Sequence, residues 1–302
     1  MKNKATILPG LMLFASFVIL MVCGMGFDFV FSRFPSLGIV LIELLAFVPP
    51  TYCLYKSQDQ NFRLNFRWEK QPDKLPVYFG FTVKFALAVS FLSFLSNLVA
   101  YVVCGANDID ISAMITTSGA GNHYGFLSFL GIVVFSPIVE ELFVRGALFS
   151  SFECRAGTIV SIVLSGVCFA MLHGSLLNFV GPLIAGCAYA YLVYMFDSIW
   201  PAILAHIINN CYYYIINYLI HLYSSFGIWK YFTFINVILF LLTLYLTLRS
   251  LETQIQHGNL RKMKPNPSTK WDAVRDCVVN PGFFIFISRF ENYKDESLQA
   301  IP

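Results

Sequence analysis

Two adjacent carboxylates and a guanidinium lie inside one apolar stretch of this chain, Ser136-Pro-Ile-Val-Glu140-Glu141-Leu-Phe-Val-Arg145. Each charge held near a bilayer centre costs about 2.5–3.5 kcal/mol on insertion scales, so such residues face a protein interior and serve a purpose. In a helix Glu141 and Arg145 share a face and can pair, whereas Glu140 is turned about 100° away and is left for chemistry. Further along, Phe169-Ala-Met-Leu-His173 sets an aromatic ring and an imidazole four residues apart, and His206-Ile-Ile-Asn-Asn210 does the same with an imidazole and an amide. A single histidine in an apolar span reads as an interhelical hydrogen bond. Two such faces beside a Glu-Glu-x-x-x-Arg helix read as a catalytic set.

The chemistry those side chains could share is amide hydrolysis. Glu140 can act as general base on a water that His173 helps to polarise, and the water then attacks a carbonyl carbon. His206 and Asn210 can donate hydrogen bonds to the oxyanion that develops. A second assignment makes Glu140, His173 and His206 three ligands of Zn²⁺ with an open fourth position. The residues alone leave both open, and no other cofactor is called for. There is no HExxH, no paired-aspartate motif, and no histidine partnered to the Gly-x-Ser spacings, so zincin, aspartyl and rhomboid-type serine chemistry each lack their key residues.

The elements that must position these residues are apolar helices. Of 302 residues 57% are hydrophobic and 12% charged, and the mean hydropathy is +0.67, which places the chain among all-α, polytopic membrane proteins. The net charge of +3 is too small to suggest nucleic acid as a partner. The bilayer is one expected partner, and a membrane-associated peptide or protein substrate is the other. Eight cysteines without a CxxC pair read as small apolar residues rather than a disulfide or thiolate framework.

Apolar runs at about 7–30, 37–55, 77–104, 125–155, 157–172, 176–196, 199–220 and 229–248 predict about eight spans. Glu43 lies within the second run, where Pro49-Pro50 predicts a kink or a re-entrant break. With the N-terminus inside, the inner connections collect Lys2, Lys4, the basic loop Lys56–Lys74, Arg145, Arg155 and the tail, while the outer ones hold Arg33 and Lys230. The positive-inside rule therefore predicts cytoplasmic N- and C-termini. The organisation expected is N-terminal helices and loops over 1–124, a catalytic core over 125–220, a last transmembrane helix over 221–250, and a polar cytoplasmic tail over 251–302. The tail's Phe283-Phe-Ile-Phe-Ile run is too short to span.

Glu140-Glu141-x-x-x-Arg145, Phe169-x-x-x-His173 and His206-x-x-x-Asn210, in that order on successive late spans, resemble the CPBP family of intramembrane proteases. That family includes the Ras-converting CAAX endopeptidases and bacterial proteins linked to bacteriocin processing and immunity. The resemblance covers roughly 130–218. It implies that Glu140 and His173 activate water, that Glu141 and Arg145 hold the helix, and that His206 and Asn210 form the oxyanion site. It implies a prenylated CAAX substrate or, in a bacterial setting, a leader peptide or toxin precursor. The family has been described as both metallo- and glutamate-type, so the zinc question stays open. The alternative is a non-catalytic membrane adaptor, in which the same buried polar cluster keeps helices in register while the tail or the loop at Gly105–Tyr124 binds a partner.

Overall fold

Each of the eight apolar runs contains a helix among its described residues. The structure is a computed structural model and describes residues 4–25, 35–57, 75–103, 125–156, 158–174, 178–223 and 229–256. The basic loop after Lys56, the Gly- and Ser-rich stretch at 105–124 and the C-terminal tail, with its Phe283-Phe-Ile-Phe-Ile run, lie outside the described residues. The helices are α1 (Lys4–Met25), α2 (Pro35–Ser57), α3 (Leu75–Val103), α4 (126–156), α5 (Thr158–Leu172), α6 (Val180–Phe196), α7 (Trp200–Tyr223) and α8 (Trp229–Gln256). Among the described residues there is no strand.

Four helices are long and apolar enough to cross a bilayer by length and composition, over Leu37–Lys56, Pro76–Ser96, Phe126–Glu153 and Phe232–Gln254. The helices α5 and α6, with 15 and 17 residues, are shorter than that. At about 1.5 Å per residue they reach roughly 22 and 25 Å, against a hydrocarbon core of about 30 Å. Helix α2 continues through Pro49 and Pro50 without the expected break. The outside of the bundle is apolar, with Phe14, Leu41, Leu45, Phe234, Leu241 and Tyr245 exposed, while Glu141, Arg145 and His206 are buried. This arrangement suits a chain whose solvent is lipid.

Helix α4 is not uniformly wound. Leu130–Phe135 and Leu142–Phe149 form π-helical turns on either side of an α-helical stretch, Ser136–Glu141. Pro137 helps to explain the first. The Ser136 amide donates to the Gly131 carbonyl five residues back, and the next donor in that register would be the N–H that Pro137 lacks. The Ile132 carbonyl is therefore left for a partner elsewhere. Wide turns of this kind recur at functional sites.

Small residues bring α5 and α6 together. A Cβ on Gly186 would lie 2.8 Å from the Gly166 Cα, 3.1 Å from the Gly166 carbonyl oxygen and 3.2 Å from the Phe169 Cβ. Two of those three neighbours are backbone and cannot swing away, and close backbone approach of this sort is how helices pack in lipid. Gly186→Val is expected to lower stability by about 1–3 kcal/mol through overpacking, read as an earlier thermal transition in detergent. A wild-type transition temperature would contradict the close crossing. On the other side of α6, Tyr78 and Phe81 of α3 pack against Phe196, and the Ser93 hydroxyl donates to the Gly181 carbonyl at 3.2 Å. Phe91 and Phe94 of α3 meet Tyr212 of α7, whose hydroxyl donates to Asn236 of α8.

Candidate active site

The two adjacent glutamates of α4 occupy different environments. Glu141 is fully buried, and its Oε1 accepts from Arg145 Nη1 at 2.7 Å and from His206 Nδ1 at 2.9 Å. Arg145, itself 1% exposed, sends Nη2 to the Gly186 carbonyl at 2.9 Å. Its guanidinium sits 4.4 Å from the Phe169 ring centroid and 5.3 Å from that of Tyr189. One cation thus ties α4 to α6 while resting on two aromatic faces, which suits the planar guanidinium better than a lysine.

Tyr189 also stacks on the His206 ring at 5.2 Å, and Phe169 meets that ring edge-on at 5.3 Å. With Nδ1–H committed to a carboxylate and both flanks packed, His206 has its orientation fixed. Its partner Asn210, one turn on, donates Nδ2–H to the orphaned Ile132 carbonyl at 2.9 Å. The missing amide of Pro137 is answered from α7. That leaves Asn210 with a second Nδ2 hydrogen.

His173 stands where α5 ends. The His173 and Gly174 amides donate to the Ala170 and Met171 carbonyls at 3.3 and 3.1 Å, and Gly174 adopts φ +66, a left-handed turn suited to glycine. His173 Nδ1 lies 2.8 Å from the Phe169 carbonyl oxygen, which can only accept, so the proton sits on Nδ1 and Nε2 carries the lone pair. The residue is exposed at this end of α5.

Glu140 is half-buried and, unlike Glu141, has no cation bonded to it among the described residues. Its Oε1 lies 2.7 Å from the Ser136 hydroxyl oxygen, and that same oxygen lies 2.6 Å from Glu43 Oε1 on α2.

Residues 122–212 match the family model described as type II CAAX prenyl endopeptidase Rce1-like. That segment is therefore similar to the CAAX-type branch of the CPBP intramembrane proteases. No curated protein and no solved structure matches the chain. The matched segment spans less than half of the sequence and contains Glu140, Glu141, Arg145, Phe169, His173, His206 and Asn210. Glu43 lies outside it.

Depth estimated at a uniform 1.5 Å per residue puts His206 about 10 Å from the level of the glutamates, yet His206 bonds Glu141 directly. The wide turns over Leu142–Phe149 shorten α4 for its residue count and so take up part of that difference. The sequence reading assigns no role to Ser136 or Tyr189. The spacing Ser136-x-x-x-Glu140 is a helical i,i+4 pair and could have indicated the first, whereas only the packing of α6 on α7 reveals the second.

Among the described residues no group of three or more His, Cys, Asp or Glu side chains is gathered to hold a metal ion. Glu140, His173 and His206 are thus not gathered as a ligand set in this arrangement.

Proposed function

We propose that this protein is an intramembrane endopeptidase that cuts a membrane-associated peptide, of the prenylated CAAX type or a leader-type precursor, with a water activated by Glu140 and His173. The observation that carries this reading is the division of labour between adjacent glutamates. Glu141 is spent on Arg145 and His206, while Glu140, one residue away, bonds no cation among the described residues, and His173 keeps an Nε2 lone pair available. The match of residues 122–212 to the model of a CAAX-type endopeptidase family supports the same chemistry.

In this mechanism Glu140 takes the proton of a water as it attacks the scissile carbonyl, and His173 Nε2 orients that water as a hydrogen-bond acceptor. The oxyanion then accepts a hydrogen bond from Asn210 Nδ2–H, and as the intermediate collapses the C–N bond breaks and the proton held by Glu140 passes to the leaving amine. His206 can offer Nε2–H to it only when doubly protonated, because its Nδ1–H is already given to Glu141. The eight-span arrangement with both termini in the cytoplasm belongs to this proposal, as does entry of substrate from that side or laterally.

Asn210→Ala is expected to lower kcat about 10²-fold, the usual consequence of losing one oxyanion donor. KM should change little, and loss of the Ile132 bond should lower the transition temperature slightly. Unchanged kcat would remove Asn210 from the oxyanion site.

The reading is tested with purified protein in detergent, given a farnesylated CAAX peptide and a pool of leader peptides, with and without phenanthroline. Cleavage by wild type that is lost in His173→Ala and survives chelator supports the glutamate-activated water. Loss on chelation assigns the site to zinc. Full biological function of a Glu140→Ala protein in its source cell would overturn the protease and leave an adaptor.

A further inference from the structure

The Ser136 hydroxyl sits between two carboxyl groups from different helices, 2.6 Å from Glu43 Oε1 and 2.7 Å from Glu140 Oε1. Both separations are those of O–H···O hydrogen bonds. A serine hydroxyl has one hydrogen to give, so two ionised carboxylates would leave one of these short contacts with lone pairs facing lone pairs. The chain must therefore contain a second hydrogen, carried by one of the two acids. Glu43 is the better carrier. Its Oε2 is buried without a hydrogen-bond partner, and an unpartnered carbonyl oxygen of a neutral acid costs less in apolar surroundings than an unpartnered carboxylate oxygen. Glu140 Oε2 is not stranded in this way.

We propose that Glu43 is a positioning residue for Glu140: its carboxyl hydrogen is donated to Ser136, which obliges the Ser136 hydroxyl to donate to Glu140. The Glu140 Oε1 is thereby fixed, and its other oxygen is left to face the water. The assignment of a catalytic consequence rests on the reading of Glu140 as general base, while the hydrogen count stands without it. Ser136, which is 5% exposed, is the pivot, and α2 becomes part of the active site although it lies outside the family-matched segment.

The test has a spectroscopic arm and a kinetic arm, both on the full chain in detergent. In infrared spectra at neutral pH, wild type is expected to show a carboxylic-acid C=O band that disappears in Glu43→Gln and moves to higher frequency in Ser136→Ala. A band that persists in Glu43→Gln, or that is lost in Glu140→Gln instead, overturns the proposal. This arm decides it even if no peptide is ever cleaved, so failure of the protease reading is told apart from failure of the hydrogen chain. In the kinetic arm, Glu43→Ala lowers kcat about tenfold with KM unchanged, the scale of one hydrogen bond. Glu43→Gln, whose amide can still donate to Ser136, rescues most of that loss. Glu43→Ala combined with Ser136→Ala is no worse than Ser136→Ala alone, as members of one chain require. Additive losses, or a Glu43→Gln as impaired as Glu43→Ala, would reduce Glu43 to a structural acid. Should Glu43→Ala fail to fold, the infrared comparison of wild type with Glu43→Gln still gives the answer.

Discussion

Glu140→Gln is expected to lower kcat by about 10²–10⁴-fold, the range of a lost general base, while leaving the thermal transition near that of wild type. The substitution is close to isosteric, and Gln retains an oxygen to accept from Ser136, so the hydrogen bond at 2.7 Å can persist. Glu140 bonds no cation among the described residues, so neutralising it strands no counter-ion. Removal of charge from a membrane interior is, if anything, stabilising. A purely structural glutamate would behave the opposite way, with stability lost and kcat per folded molecule retained. The pair of measurements, turnover and transition temperature, separates the two.

Arg145→Ala carries the largest expected effect on stability, about 3–5 kcal/mol, because it leaves Glu141 as a buried charge with its main partner gone. That is a large share of the roughly 5–15 kcal/mol that holds a typical domain together. The guanidinium bonds Glu141 and the Gly186 carbonyl and lies against Phe169 and Tyr189, so its loss also opens a cavity between α4, α5 and α6. Adding Glu141→Gln to Arg145→Ala should recover part of the lost stability, since no charge then remains unpaired. It should not recover activity, because His206 would have lost the carboxylate that accepts its Nδ1–H. Arg145→Lys should fall between, as an ammonium cannot span both acceptors and stack on a ring. A double variant less stable than Arg145→Ala would contradict the pairing.

How much of this could be read beforehand depended on the range of the interaction. The Glu141–Arg145 pair is four residues long and needs only a helix, and the sequence shows it. The helices themselves follow from uninterrupted apolar runs, and their observed limits fall within a few residues of those runs for most of the bundle. His206 on Glu141 is different: 65 residues separate the two, and a uniform helical rise misplaces them, in part because the winding is not uniform across Leu142–Phe149. The irregular winding at Pro137 emerges only in the structure, and its answer, Asn210 donating to Ile132, lies on another helix. Glu43 stood out as an acid in an apolar run, and nothing in its neighbourhood named Ser136 as its partner. Local spacing thus revealed which residues matter, and tertiary contacts revealed which of them touch.

The most direct measurement of the central claim is mass analysis of peptides recovered after incubation with purified protein in oxygen-18 water, wild type beside Glu140→Gln. Wild type is predicted to yield a fragment whose new carboxyl terminus carries oxygen-18, and Glu140→Gln to yield at most a hundredth of it over the same time. Equal yields of labelled fragment from the two proteins would contradict the account.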